Sequence, residues 1–398
     1  MKYYNEENSL VIKSWCDNPE DGAIEQAKNL ARLPFAFKQI CLMPDTHQGY
    51  GMPIGGVLAT EKVIIPNAVG VDIGCGMCAV QTPWEKDDIS TEQLKKILSL
   101  IREAIPVGFL HHKTIQEIAL MPSADDLPKD TMFNTCGIVN REYHAALSQI
   151  GTLGGGNHFI EIQKDEHNII WIMVHSGSRN LGYKVAKYYN DLAVELTGKW
   201  YSYVPKEWEL AFLPIDTFEG DSYIKEMQYC VDFSLANRKL MLDRICEVFH
   251  TVLQWKKIDL SGTINIAHNY ARMEHHFGHN VMVHRKGATS AREGEIGLIP
   301  GSQGTSSYVV KGKGNPESFM SCSHGAGRAM GRKQAQRTLN LEDEQKKMDD
   351  RGILHSVRGI NDLDEAPGSY KDIEEVISSQ LDLIDILVKL QPLAVIKG

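Results

Sequence analysis

Apolar positions along this chain change rhythm several times, and each change predicts an element. Leu94, Ile97, Leu98 and Ile101 recur at helical spacing and predict an amphipathic helix over 87–104. Ala23–Ala31 reads as a short helix and Gln39–Met43 as a strand. Residues 44–79 are dense in glycine and proline, which predicts broken strands within close-packed loop. Phe159–Gln163 and Ile169–Val174 read as the strands of a hairpin turning through the polar Lys164–Asn168. Helices are expected over Lys184–Thr197 and Tyr223–Trp255, and short strands with glycine loops over 262–310. A polar helical stretch is expected over Ala326–Arg351. Ile373, Val376, Ile377, Leu381, Ile384, Leu387 and Leu390 share one side of a predicted amphipathic helix, Asp372–Leu390, which Pro392 ends before a short strand, Leu393–Ile396. Residues 106–135, polar and proline-punctuated, read as a variable surface insertion. Strands and helices interleave irregularly. The fold expected over 1–398 is α+β, one compact domain of mixed or antiparallel sheets flanked by helices.

Composition narrows the classes. Hydrophobic residues make up 42% and charged residues 23% of 398, which fits a soluble globular chain and excludes a fibrous or mostly disordered one. A net charge of −9 argues against coating nucleic acid or membrane by global charge, so a nucleic-acid substrate would need a local basic patch. The longest plainly apolar run, Ile169–Val174, is far short of a membrane span, and the N-terminus has no signal-peptide pattern. The eight cysteines therefore read as reduced thiols in a cytoplasmic protein.

Histidine is enriched, at 15 residues. A hairpin turn centred on Glu166 and His167 would pair Ile162 with Trp171, Ile160 with Met173, and His158 with His175. Directly opposed side chains lie about 5 Å apart at Cβ, close enough to share a cation; a stacked, metal-free pair is the alternative. Cys75, flanked by glycines, Asp72 three residues earlier, and His268 are further ligand candidates. The set suits Zn²⁺ or Mn²⁺, with carboxylate and imidazole favouring the harder ion. Taken singly, each reads first as a core cysteine or a satisfied loop histidine. Cys75 and Cys78 form a single C-x-x-C, in a glycine-rich run that fits a redox motif poorly. His275, His276, His279 and His284 cluster densely, but Phe277-Gly278 breaks the helical pattern, so they read as a polar surface turn. Three glycine loops resemble anion cradles: Gly154–Asn157, Ile299–Gly304 and Ser321–Arg328. No Walker A pattern occurs. His324, inside the third loop, is a nucleophile candidate at phosphorus or a cap for the helix that follows.

DTHQGYGMPIGG, AVGVDIGCGM, GTLGGGNHFIEI, HSGSR, HNY, RKGA, IPGSQG, CSHGAGR and a terminal IKG occur in one order, from Pro44 to Gly398. In these blocks the chain resembles the RtcB-type RNA ligases. The resemblance implies one RtcB-like domain and a GTP- and Mn²⁺-dependent ligase, with two Mn²⁺ per active site. Its substrates would be RNA with a 2′,3′-cyclic phosphate or 3′-phosphate end and RNA with a 5′-hydroxyl end, in RNA repair or tRNA splicing. A monomer is expected. It carries metal ligation onto Asp72, Cys75, His158, His175 and His268, and the guanylate-accepting role onto His324. Guanylate binding falls on Asn157, His158, Phe159, Ile160, Glu161, His268, Asn269, Pro300, Gly301, Ser302, Gln303, Ser307, His324, Gly325, Ala326, Gly327 and Lys397. Gln303 departs from the family pattern, which has Met there, and Cys78 stands where a non-thiol is expected. RNA contacts are expected from Arg179, Arg285, Lys286 and Arg328 in one groove, along with Arg292, Lys311, Lys313, Arg332, Lys333 and Arg337. A metal-dependent RNA phosphoesterase without ligase activity is the competing reading.

Overall fold

The computed structural model describes residues 1–127, 137–200, 204–254 and 256–398. Among them two large sheets meet at their strand ends. The first runs, edge to edge, Lys2–Tyr4, Val11–Ser14, Ala36–His47, Ile54–Thr60, His279–Lys286, Asn269–His276. The second runs Ile264–Ala267, Gly76–Glu85, Ile169–Ser176, Phe159–Lys164, Ile384–Lys397, Ser307–Gly312, Ile296–Ile299. The pairs are antiparallel except Val11–Ser14 with Ala36–His47, which is parallel. This is the α+β arrangement of mixed and antiparallel sheets flanked by helices.

Alternation decides which face each residue buries. In the second sheet Cys78, Val80, Ile160, Ile162, Ile172 and Val174 point to one side. There they pack against Ile97 and Ile101 of Thr91–Ala104 and Leu242, Ile245 and Phe249 of Phe218–Leu253. Each such side chain removed from water contributes on the order of 2 kcal/mol. Met77, Ala79, Phe159, Met173 and Val395 point to the other side, toward Ile353, Val357 and Leu363. Ser90 starts the helix Thr91–Ala104 as a capping box with Gln93, which satisfies donors the first turn leaves open.

Several expectations are corrected. The stretch 44–79 keeps the expected broken strands within loop and adds a four-residue helix, Pro66–Val69. The polar stretch after Ala326 is two helices, Arg332–Thr338 and Leu341–Asp349, because Asn340 caps a new start. The expected helix Asp372–Leu390 is only Ile373–Ser378. From Ile384 the chain is a 14-residue strand. Ile384, Ile386, Val388 and Leu390 also fit a period of two, and an open sheet position between Phe159–Lys164 and Ser307–Gly312 settles the choice. Of the expected insertion, 106–127 is irregular apart from Ile118–Leu120, while 128–135 lies outside the described residues, as does Trp255 of the expected long helix. No helix among the described residues is long and apolar enough to cross a membrane.

Candidate active site

The site forms where strand ends of both sheets converge. Cys75 immediately precedes Gly76–Glu85, His158 precedes Phe159–Lys164, and His175 is the penultimate residue of Ile169–Ser176. His268 is the single residue between Ile264–Ala267 in one sheet and Asn269–His276 in the other. Its amide donates to the Cys75 carbonyl at 2.8 Å, and the Gly74 amide donates to the Asn269 carbonyl at 2.8 Å.

Two groups of possible cation ligands share one thiol. Cys75, His175 and His268 form one, and Asp72, Cys75 and His158 the other, with ligand atoms within 4.8 Å of one another in each. Cys75 Sγ lies 3.2 Å from His175 Nε2 and 3.4 Å from His158 Nε2, which in turn lies 3.3 Å from Asp72 Oδ2. Both rings are aimed from behind: His158 Nδ1 donates to the Leu153 carbonyl at 2.9 Å and His175 Nδ1 to the Asn157 carbonyl at 3.2 Å. A backbone carbonyl only accepts, so each Nε2 keeps its lone pair for a cation. Burial, reinforced by neighbouring cationic groups, holds the His175 and His268 imidazoles well below their usual range, in the neutral form a metal requires. His268 Nδ1 is buried without a partner, as suits a ligand atom. These residues fit a divalent ion.

The hairpin is one residue out of the expected register. His175 faces Phe159, and Ile160 faces Val174. Asp165 takes the His167 and Ile169 amides and Asn168 adopts a φ of 63°, so the turn sits later than its polarity suggests. His158 therefore lies outside the ladder. It still reaches His175, at 5.3 Å between ring centroids, because Cys75 stands between them.

His324 follows the strand Ser321–Ser323 and sits with its ring 4.7 Å from that of His268. Its Nδ1 donates to Asp45 Oδ2 at 2.6 Å, and its amide donates to the same oxygen at 3.0 Å. Asp45 is fully buried near the end of Ala36–His47. Lys371 holds the carbonyls on both sides of it, those of Pro44 and Thr46. Asp45 opens the DTHQ block, yet nothing along the chain marked it as a partner of a residue so distant. The only local signal was an acidic residue inside an apolar strand. With Nδ1 protonated, His324 Nε2 keeps its lone pair.

A cavity of about 1050 Å³ joins these groups. Its lining includes Asp72, Cys75, Asn157, Phe159, Glu161, His175, His268, Asn269, Pro300, Gly301, Ser302, Gln303, His324, Gly325, Ala326, Gly327 and Lys397. Three expected contacts do not line it: His158, whose Nε2 faces Cys75 and Asp72, then Ile160 and Ser307. Ile160 points into the opposite core, as strand alternation requires between Phe159 and Glu161. Ser307 lies behind the loop, accepting from the Gly301 amide and from Gln163. Gln303 ties two segments together: it donates to the Glu365 carbonyl at 3.0 Å and accepts the Ser356 amide at 3.1 Å.

The basic residues do not share one groove. Lys286, Arg328 and Arg332 line the cavity. Arg179 is not part of the lining; it donates to Thr152 Oγ1 and the Gly108 carbonyl. Arg285 is corrected outright: it is wholly buried in a double contact with Glu274 and cannot reach a ligand. Lys313 pairs with Asp385 away from the site. In the histidine cluster, Phe277-Gly278 is the tight turn of a hairpin, with His275 and His279 exposed. Contrary to the surface-turn expectation, His276 and His284 are buried, paired with Glu274 and with backbone. Cys78 packs in the apolar core, where burial pushes its thiol up to about 12, so it is no redox partner for Cys75.

A family model described as tRNA-splicing ligase RtcB matches residues 26–398. The RNA-splicing ligase RtcB of Escherichia coli strain K12 is 36% identical, covering 97% of each chain. The tRNA-splicing ligases RtcB of Nanoarchaeum equitans and Thermococcus kodakarensis are 32% and 31% identical, each over 95% of this chain and 92% of their own. With the strand-end histidines, the shared cysteine and the SHGAGR loop assembled around one cavity, the chain belongs to the tRNA-splicing ligase RtcB family.

Proposed function

We propose that this protein is an RNA ligase that consumes GTP, uses Mn²⁺, and joins a 2′,3′-cyclic phosphate or 3′-phosphate RNA end to a 5′-hydroxyl end. The observation that carries the reading is the Asp45–His324 pair beside the Cys75–His175–His268 group in a nucleotide-sized cavity. Asp72, Cys75, His158, His175 and His268 would hold two divalent ions, which when bound neutralise phosphate charge.

The chain's own groups account for the rest. Asp45 keeps the Nδ1 proton of His324 in place and offsets the positive charge that grows on the imidazole. His324 Nε2 attacks the α-phosphorus of GTP and pyrophosphate leaves, which puts GMP on the histidine. Water first opens a cyclic end to a 3′-phosphate. That phosphate takes the GMP and frees His324. The 5′-hydroxyl oxygen then attacks the activated phosphate, GMP departs, and the phosphate stays in the new linkage. The Gly325, Ala326 and Gly327 loop and Lys397 border the nucleotide; Arg328, Arg332, Lys286 and Arg179 supply positive charge for RNA.

Incubation with α-labelled GTP and Mn²⁺, followed by addition of RNA with 3′-phosphate and 5′-hydroxyl ends, tests this. Labelled protein that loses its label as RNA is joined is expected. Phosphate-ester cleavage without protein labelling would establish the phosphoesterase instead.

A further inference from the structure

Glu365 is a buried carboxylate with no place in the steps above, and it pairs with two cations of the cavity, Lys397 and Arg328. It ends the short helical turn Ile360–Glu365 and lines the cavity itself. Its Oε2 accepts from Lys397 Nζ at 2.8 Å and from the Tyr370 hydroxyl at 2.6 Å, and its Oε1 accepts from Arg328. Its backbone is pinned by Gln303 through its carbonyl. Burial raises its pKa, but Lys397 and Arg328 outweigh that and hold it at about 2, so it is a permanent anion.

Lys397 needs such a partner. Its side chain has four rotatable bonds and loses much entropy when held in one place. The strand carries its backbone to the position opposite Phe159, with the ammonium 5.7 Å from that ring's centroid. Nothing in that pairing selects where the ammonium points. Glu365 does, and it leaves the remaining protons of Nζ free for the cavity. Glu161, on the same face as Phe159 and paired with Val395, offers a carboxyl close by.

We propose that Glu365 is a positioning residue that aims Lys397 and thereby sets the preference for guanosine over adenosine nucleotides. The proposal rests on the ligase reading for its nucleotide. Its logic is the chemistry of the two bases. Guanine presents a carbonyl oxygen where adenine presents an amino group. An ammonium, which only donates, rewards the first and is left unpaired by the second. A lysine held in place discriminates; a lysine free to swing finds other acceptors and does not.

The test measures nucleotide binding in a His324→Ala background, where no covalent step intervenes, with Mn²⁺ present. Glu365→Gln should lower the ratio of ATP to GTP dissociation constants by about tenfold or more, with GTP binding weakened and ATP binding little changed. Glu365→Asp should restore part of the ratio. Adding Glu365→Gln to Lys397→Met should lower the ratio no further than Lys397→Met alone, because both remove the same aimed ammonium. Equal loss of GTP and ATP affinity in Glu365→Gln, or a full extra loss in the double variant, would overturn the proposal. If Glu365→Gln does not fold, Lys397→Met decides: a parental ratio overturns the proposal and a lost ratio supports it. Selective GTP binding without any GMP adduct on the protein that retains His324 would sink the ligase reading while leaving this one standing.

Discussion

His324 and Asp45, 279 residues apart in the chain, share a hydrogen bond of 2.6 Å between Nδ1 and Oδ2. The same oxygen takes the amides of His324 and Gly325, so one buried carboxylate fixes both the tautomer of the ring and the loop that carries it. This makes Asp45 separable from the nucleophile by experiment. His324→Ala is expected to abolish GMP attachment. Asp45→Asn should keep the loop near its place but favour the wrong tautomer, slowing adduct formation by about 10²–10⁴-fold. Labelling rates with α-labelled GTP check both; near-normal labelling in Asp45→Asn would remove Asp45 from the mechanism.

Cys75 and Cys78 are close in sequence and opposite in environment. Cys75→Ser should weaken Mn²⁺ or Co²⁺ binding by about 10–100-fold, since a hydroxyl is a poor ligand beside a thiolate. Cys78→Ser should leave binding intact and cost stability of about 1–3 kcal/mol for an unpaired buried hydroxyl. Metal titrations and thermal melts of the two variants separate the effects, and equal metal affinities would contradict the assignment.

Glu161 gives the site a pH dependence. Burial pushes its carboxyl up to about 8, against the opposing pull of Lys397 and Gln163. The folded protein therefore holds a proton that the unfolded chain releases at about 4.5, and the Glu161 contribution to stability declines as pH rises from there to about 8. Guanine offers N–H donors, which an ionised carboxylate accepts best. GTP affinity should thus rise with pH to about 8 and then level. Calorimetry should show proton release on GTP binding near neutral pH, and Glu161→Gln should remove it; an unchanged proton count in the variant refutes the role.

Lys397 ends the strand Ile384–Lys397, whose register opposite Phe159–Lys164 is held by residues upstream of it. Deleting Lys397 and Gly398 should slow guanylation and raise the GTP requirement. The melting temperature should move by no more than about 2–4 °C, because Ala394, Val395 and Ile396 keep their burial. Unaltered guanylation kinetics would return Lys397 to a structural role.

The parts of the site legible in the sequence were those whose chemistry is local. The His158–His175 proximity followed from a hairpin, even with its register one residue out, because a strand pair tolerates that error when a third group, Cys75, bridges the two. Asp45 and Glu365 were invisible for the reverse reason. Each is defined by partners on other strands and loops, His324 for one and Lys397 and Arg328 for the other. Arg285 shows the same limit: its motif is basic, but Glu274 turns its charge inward. The C-terminal strand was misread as helix because its apolar residues satisfy both periods, and only the neighbouring strands choose between them.

His268 stands alone between a strand of one sheet and a strand of the other, so it sits on the seam between them. A cation bonded to His268 from one side and to Cys75 and His175 from the other would act as a rivet across that seam, since metal–ligand bonds admit little stretch. The two halves of the molecule should then rock less when loaded. Amide hydrogens of Ile264–His276 should exchange more slowly with the ion than without it, making mechanical stiffness across the seam a direct gauge of occupancy.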